Sequence, residues 1–124
     1  MKIGFVGLGQ MGAPMAINLS RAHDVVVHAR NSDAVAQVAS HGAFPANGRS
    51  GFSDVDRVVL CLPSAEIVQH ALFDPKSGLA RHLKPGAIVV DTSTIEYGAT
   101  IEIHKQLAAE DVHFLDAPVS GMRK

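Results

Sequence analysis

The residues Gly7-Leu8-Gly9-Gln10-Met11-Gly12 decide the fold of this 124-residue chain. They follow a short apolar run, Lys2–Val6, and lead into a helical pattern over Gln10–Arg21. A G-x-G-x-x-G turn is a weak signal by itself, but between a strand and a helix it is typical of dinucleotide-binding sheets. The context therefore predicts that Gly7–Gly12 binds the phosphates of a dinucleotide.

Each glycine of this turn has a separate expected role. Gly7 permits the tight turn, Gly9 lets a pyrophosphate approach the backbone, and Gly12 allows the helix and strand to pack closely. The N–H groups of Gln10, Met11 and Gly12 would lie at the positive end of the helix dipole. An anion is stabilised at that position.

The rest of the chain alternates short apolar runs with helical patterns, which predicts a doubly wound parallel α/β sheet with strand order 3-2-1-4-5-6. The expected strands are Lys2–Val6, Val25–His28, Gly42–Phe44, Arg57–Leu62, Ala87–Asp91 and Val112–Leu115. The expected helices are Gln10–Arg21, Ser32–Ser40, Ala65–Phe73 and Tyr97–Ala109, with a short helical turn over Ser77–His82. Residues 1–124 are expected to form one domain.

Composition and charge exclude several classes of protein. The chain is 47% hydrophobic with a net charge of −1, which argues against disorder and against nucleic acid as a partner. Cys61 is the single cysteine, so an internal disulfide is impossible and a cytoplasmic location is expected. The apolar run at the N-terminus is too short for a secretory signal or a membrane span, so no membrane association is expected.

The end of the second expected strand predicts which cofactor the chain prefers. NAD-selective sites usually place an acid there to bind the ribose 2′-hydroxyl. This chain instead offers Arg30, with Asn31 and Ser32 as further donors. A cation beside a 2′-phosphate favours NADP over NAD, and the alternative is that Arg30 is a solvated surface residue.

Four segments together resemble the β-hydroxyacid dehydrogenases, the family that includes 3-hydroxyisobutyrate dehydrogenase and 6-phosphogluconate dehydrogenase. The first is the opening strand and glycine turn, followed by a leucine-proline turn, a serine-threonine-isoleucine motif and a serine-glycine turn. In order, they are Ile3–Gly12, Cys61–Pro63, Asp91–Ile95 and Phe114–Gly121. The resemblance covers nearly the whole chain.

This resemblance implies roles for five further residues. Leu62 and Pro63 would border the nicotinamide side of the cofactor, and Thr94 would contact the cofactor. Ser120 and Gly121 would hold the carboxylate of the substrate. The alternatives are that Thr94, or Ser93 beside it, caps the following helix and that Ser120 is a plain turn residue.

The chain departs from the family pattern in three places. Tyr97 stands where the family usually has proline, and Met122 stands where it usually has a second glycine. The family's catalytic lysine and asparagine match nothing up to Lys124, so we assign no catalytic residue. The resemblance thus implies that the family's helical second domain is absent and that the chain is inactive alone.

The remaining polar residues suggest no additional site. The seven histidines show no metal-ligand spacing, so no metal is expected. Cys61 is expected in the core, and Asp91 and Asp116 are expected in turns or caps.

Taken together, the sequence predicts the NADP(H)-binding part of an oxidoreductase. The expected reaction is hydride transfer between a nicotinamide cofactor and a small β-hydroxyacid, or its semialdehyde or ketoacid. The full-length enzyme would bind the hydroxyacid and could form a homo-oligomer. The alternative is a non-catalytic nucleotide-sensing module built on the same fold.

Overall fold

The computed structural model describes residues 1–46, 49–93 and 97–117. The strands in these ranges are β1 (Lys2–Val6), β2 (Asp24–His28), β3 (Phe44–Pro45), β4 (Arg57–Leu60), β5 (Ile88–Asp91) and β6 (His113–Asp116). The α-helices are α1 (Gly12–Ser20), α2 (Ser32–Ala39), α3 (Ala65–Phe73) and α4 (Tyr97–Ala108). Two short 3-10 turns cover Arg49–Phe52 and Ala80–His82.

All described strands lie in one parallel sheet in the order β3-β2-β1-β4-β5-β6. The predicted fold class and strand order are therefore confirmed. Because β1 lies at the centre, Phe5 pairs with Val27 on one side and with Val59 on the other. The carboxyl ends of parallel strands share one edge, where ligands bind in open sheets of this kind.

Each face of the sheet packs against its own hydrophobic cluster. Phe5, Val25 and Val27 lie on one face, in the same cluster as Ala16 of α1 and Val38 of α2. Buried residues of β4, β5, α3 and α4 form the larger cluster on the other face, including Val58, Leu60, Val89, Leu72 and Ile103. Coverage on both faces explains why the strands are continuous apolar runs rather than alternating ones.

Several predicted boundaries were wrong by one or two residues, and two of them affect the site. β4 ends at Leu60 instead of Leu62, since the backbone N–H of Leu62 donates to a side-chain oxygen rather than to a strand carbonyl. Helix α1 begins at Gly12 instead of Gln10, because the preceding residues form the turn itself. The third strand is Phe44–Pro45 and not Gly42–Phe44.

Within the described residues, no helix combines the length and apolar character needed to cross a membrane.

Candidate dinucleotide-binding site

The carboxyl edge of the sheet gathers the segments that the sequence predicts to bind a dinucleotide. Backbone hydrogen bonds continue the pairing beyond the strand ends and hold these segments side by side. They join Gly7 N to His28 O (3.1 Å), Cys61 N to Val6 O (2.9 Å), Thr92 N to Leu60 O (2.9 Å) and Ala117 N to Asp91 O (2.9 Å). The glycine turn therefore lies between the segment after β2 and the segment after β4.

Two glycines of the turn are required by the protein's own packing. Gly7 has a φ of +102°, a conformation that favours glycine, and a Cβ there would overlap the carbonyl of Cys61. A Cβ on Gly12 would overlap the carbonyl oxygen of Gly7. These contacts join the turn to β4 and bring α1 close to β1, as predicted for the first and third glycines.

Gly9 differs from both, because a Cβ built on it meets no atom of the described residues within 4 Å. Packing within the protein therefore does not require a glycine here, whereas a phosphate passing close to the backbone does. The open space beside Gly9 fits the pyrophosphate of a dinucleotide.

The backbone donors of the turn fit the same ligand. The first helical bonds are donated by Ala13 to Gly9 O (3.1 Å) and by Met15 to Met11 O (3.4 Å). Met11 precedes α1 without a side-chain cap. Within the described residues, the N–H groups of Gln10, Met11 and Gly12 donate to no protein acceptor. Such free donors at a helix N-terminus bind anions.

The predicted ribose-binding residues follow β2, next to the glycine turn. Arg30 is exposed and forms no ion pair with any residue that the structure describes. The side-chain oxygen of Asn31 accepts from Asp33 N (2.9 Å) and Ala34 N (3.2 Å), so Asn31 caps α2. Its oxygen is occupied by the helix, and its NH₂ group is the donor that Asn31 retains.

Leu62 and Pro63 form a turn between β4 and α3, which we call the Leu62–Pro63 turn. Leu62 is half-buried, and a Cβ on Gly7 would lie 2.9 Å from Leu62 Cδ2, so the leucine side chain packs against the start of the glycine turn. Pro63 is exposed, and Ser64 caps α3 by accepting from Ile67 N (3.2 Å). The turn thus lies beside the glycine turn at the carboxyl edge of the sheet, which we call the crevice. The expected position of Leu62 and Pro63 beside a nicotinamide stays a prediction.

Ser93 lies on the other side of the Leu62–Pro63 turn and was not predicted as a site residue. Its Oγ accepts a hydrogen bond from Leu62 N at 2.7 Å across 31 residues of sequence. From the sequence, Ser93 is expected only as an alternative cap for the helix that follows. A serine directly after β5, paired with the end of β4, is the signal that could have suggested this contact.

Asp91 is fully buried at the end of β5, and its Oδ1 accepts from Ser93 N at 2.9 Å, which is the turn role predicted for it. Burial raises the pKa of this carboxyl, the hydrogen bonds from Ser93 lower it, and the charge of Asp116 raises it further. Asp116 is its partner in the register of β5 and β6. Oδ2 of Asp91 has no hydrogen-bond partner among the described residues.

Three predicted site residues, Thr94, Ser120 and Gly121, lie outside the residues that the structure describes. Their roles stay predictions. Met122, one of the departures from the family pattern, also lies outside the described residues.

Comparisons with known proteins agree with this geometry. The NAD binding domain of 6-phosphogluconate dehydrogenase matches residues 2–124. The NAD-dependent L-serine dehydrogenase of Pseudomonas aeruginosa is 37% identical over 122 residues, which are 97% of this chain and 41% of that protein.

Solved structures show the same similarity. A 3-hydroxyisobutyrate dehydrogenase of Mycobacterium tuberculosis, solved with L-serine, superposes with a TM-score of 0.89 at 31% identity, over 97% of this chain and 40% of that one. Psf3 in complex with NADP+ and 2-OPP superposes with a TM-score of 0.87 at 31% identity, over 96% of this chain and 43% of that one.

This chain therefore spans about 40% of the length of these relatives. The match extends over nearly all of its residues and includes the glycine turn and the whole sheet. The chain belongs to the family of NAD-binding domains of 6-phosphogluconate dehydrogenase, the NAD(P)-binding domain of the β-hydroxyacid dehydrogenases.

Proposed function

We propose that this chain is the NADP(H)-binding domain of an oxidoreductase that transfers a hydride between the cofactor and a small β-hydroxyacid, or its semialdehyde or ketoacid. The observation that carries the proposal is the glycine turn. It combines open space at Gly9 with backbone donors that lack a protein acceptor within the described residues. Family membership supports the class of reaction.

The pyrophosphate would bind over Gly9 and accept hydrogen bonds from the N–H groups of Gln10, Met11 and Gly12. Leu8 completes the turn as a buried residue, and Gly7 and Gly12 hold it in shape. The dipole of α1 adds a favourable interaction with the anion.

Arg30 is proposed to select NADP over NAD. One relative is named NAD-dependent and another structure contains NADP+, so the preference must follow from this chain's own residues. Arg30 is an exposed cation with no described ion-pair partner, and Asn31 and Ser32 add donors beside it. A hydrogen bond to a charged group is worth about 1.5–3 kcal/mol, or roughly a tenfold to hundredfold preference for NADP(H).

The other end of the crevice is proposed to hold the reacting groups. Leu62 and Pro63 would border the nicotinamide and Thr94 would contact the cofactor, while Ser120 and Gly121 would hold the carboxylate of the hydroxyacid. When bound, the nicotinamide cofactor supplies the hydride acceptor or donor. The residues of this chain bind and orient it, and we assign the general acid or base to none of the 124 residues.

Calorimetric titration of the chain with NADPH and with NADH tests the proposal. We expect both to bind, with NADPH tighter by at least about tenfold. Equal affinities, or tighter NADH, would remove Arg30 from the site. Binding of neither nucleotide would overturn the proposed function itself.

A further inference from the structure

We infer that Ser93 is a positioning residue for the cofactor: its hydroxyl holds the Leu62–Pro63 turn against the glycine turn and so forms the wall at the nicotinamide end of the crevice. Ser93 acts through Leu62 and is not assigned a contact with the reacting atoms. The inference rests on the proposed function, because the wall matters only if a dinucleotide lies beside it.

The first support is the place of the Ser93 hydrogen bond in the sheet. The last regular pair of β4 and β5 is Leu60 with Asp91. Beyond it, Thr92 donates both its N–H (2.9 Å) and its hydroxyl (2.7 Å) to the Leu60 carbonyl. The next N–H after β4 that points toward β5 is that of Leu62, and it donates to the Ser93 hydroxyl. Hydrogen bonds to the side chains of Thr92 and Ser93 thus continue the pairing of β4 and β5 into the segments that follow these strands.

The second support is that Ser93 is itself held in place. It is buried, and its backbone N–H donates to the carboxylate of Asp91, which is fully buried at the end of β5. An aspartate that accepts from the N–H two residues later closes a local turn. The Ser93 hydroxyl, which accepts from Leu62 N, is therefore restricted in its movement.

The third support is the restricted geometry of the Leu62–Pro63 turn. Leu62 precedes a proline, which excludes most helical backbone conformations for it. Its side chain packs against Gly7. Ser64 ties the far end of the turn to α3. Among the described residues, the bond from Leu62 N to Ser93 is the hydrogen bond that joins this turn to the segment after β5. Its loss would let the turn shift relative to the glycine turn.

The position of the bond determines which part of the ligand it affects. Arg30 and Asn31 follow β2, on one side of the glycine turn, whereas Ser93 and Leu62 follow β5 and β4 on the other side. A dinucleotide whose pyrophosphate lies on the glycine turn extends in both directions. Removing the Ser93 hydroxyl should therefore weaken the binding of the nicotinamide half and spare the adenosine half.

Amide hydrogen exchange tests the structural step without any ligand. In Ser93→Ala, the Leu62 amide should exchange about tenfold faster. The Cys61 amide, which donates to Val6 O, should keep its protection and serves as an internal control. Unchanged protection of Leu62 would overturn the inference. If the alanine variant does not fold, Ser93→Cys keeps a polar atom at the same position in the side chain, with sulfur as only a weak acceptor, and carries the same expectation.

Binding of two probes tests the functional step. Ser93→Ala should weaken NADPH binding by about threefold to tenfold. It should leave the affinity for adenosine 2′,5′-bisphosphate, a probe of the adenosine half, within about twofold. Ser20→Ala is the matched control, because it removes a hydroxyl that bonds Ile17 O away from the crevice, and it should change neither affinity.

The outcomes separate the two proposals. An equal loss for both probes would show a general structural effect and overturn the role of Ser93 in positioning. An unchanged affinity for NADPH, with Leu62 exchange accelerated, would also overturn it. Failure of the unsubstituted chain to bind either probe would overturn the proposed dinucleotide function, whereas the exchange result would still report on the Ser93–Leu62 bond.

Discussion

The two sides of the crevice are built in different ways. On the side that follows β2, Arg30, Asn31 and Ser32 are exposed, and the only described side-chain bonds among them are the local caps of Asn31. On the side that follows β4 and β5, Asp91 and Ser93 are buried and form a chain of hydrogen bonds that ends at the Leu62–Pro63 turn.

This difference reflects the cost of burying polar groups. An exposed cation such as Arg30 remains solvated without a protein partner and can meet a phosphate when one arrives. Buried polar atoms are stabilised by hydrogen bonds within the protein, as Asp91 Oδ1 and the Ser93 hydroxyl are, because an unpaired polar group costs about 1–3 kcal/mol. A substitution on the exposed side can therefore change which ligand binds without breaking a bond within the protein. On the buried side, hydrogen bonds within the protein fix the positions of Asp91 and Ser93 before a ligand binds.

The glycine turn also combines a position packed within the protein, Gly12, with an open one, Gly9. The largest predicted effect is a loss of stability at the packed position. Gly12→Ala would place a Cβ against the backbone carbonyl of Gly7, which cannot move aside as a flexible side chain could. We expect overpacking to lower the free energy of unfolding by about 3 kcal/mol, or to prevent folding. Urea denaturation followed by circular dichroism measures this change, and a variant as stable as the original chain would contradict the packing.

Gly9→Ala should separate binding from folding. Its Cβ enters open space, so the free energy of unfolding should be unchanged or rise by up to about 1 kcal/mol through the stiffer unfolded chain. The same Cβ would lie in the path of the pyrophosphate. We expect the affinity for NADPH to fall about a hundredfold, equivalent to the loss of one to two charge-assisted hydrogen bonds. Calorimetry on the folded variant measures it, and an undiminished affinity would remove Gly9 from the site.

Arg30→Ala should alter the ligand preference of the exposed side alone. NADPH affinity should fall about tenfold because the 2′-phosphate loses its cation, and NADH affinity should stay within about twofold. Competition between the two cofactors in one titration gives the ratio directly. Gln37→Ala, an exposed substitution on α2, serves as a surface control. Equal losses for NADPH and NADH would mean that Arg30 does not read the phosphate.

The smallest predicted effect concerns the buried side and its pH dependence. Burial raises the pKa of Asp91 above its ordinary value of 3.8, so the folded state favours the protonated carboxyl. Stability from this group is then present at low pH and is lost as pH rises from the unfolded pKa through the folded one. Asp91→Asn should remove that loss, so the variant should gain stability relative to the original chain as pH rises.

The pKa of Asp56 is lowered rather than raised, so its contribution to stability depends on pH in the opposite direction. Hydrogen bonds from Lys84 and from the backbone N–H of Lys2 lower its pKa, so its contribution is present above 3.8 and is lost as pH falls. Urea denaturation of the original chain, Asp91→Asn and Asp56→Asn, repeated from about pH 3 to pH 7, measures both trends. A stability difference for Asp91→Asn that does not change with pH would contradict the raised pKa.

Much of the fold could be predicted because its signals are local. The glycine turn, the apolar runs and the helix spacing each lie within a few neighbouring residues, and α3 was predicted at the observed boundaries, Ala65–Phe73. Strand order follows from the right-handed connections of such units. The short strand β3 and the end of β4 were harder, because pairing with a neighbour decides where a strand ends.

The candidate site was predictable to a similar extent. The glycine turn and the Leu62–Pro63 turn are found at the carboxyl edge as expected from their motifs. The role of Ser93 could not be predicted, because its partner lies 31 residues earlier in the chain and meets it only when β4 and β5 pair.

The sequence by itself determined the class of fold, the family and the position of the glycine turn, because glycine spacing and hydrophobic periodicity act over short distances along the chain. Only the tertiary structure decided which glycines are packed and which one is open, since that depends on the carbonyls brought against Gly7 and Gly12. It also decided that Ser93 holds Leu62, since a hydrogen bond between distant residues exists only after the sheet has placed its donor and acceptor within about 3 Å of each other.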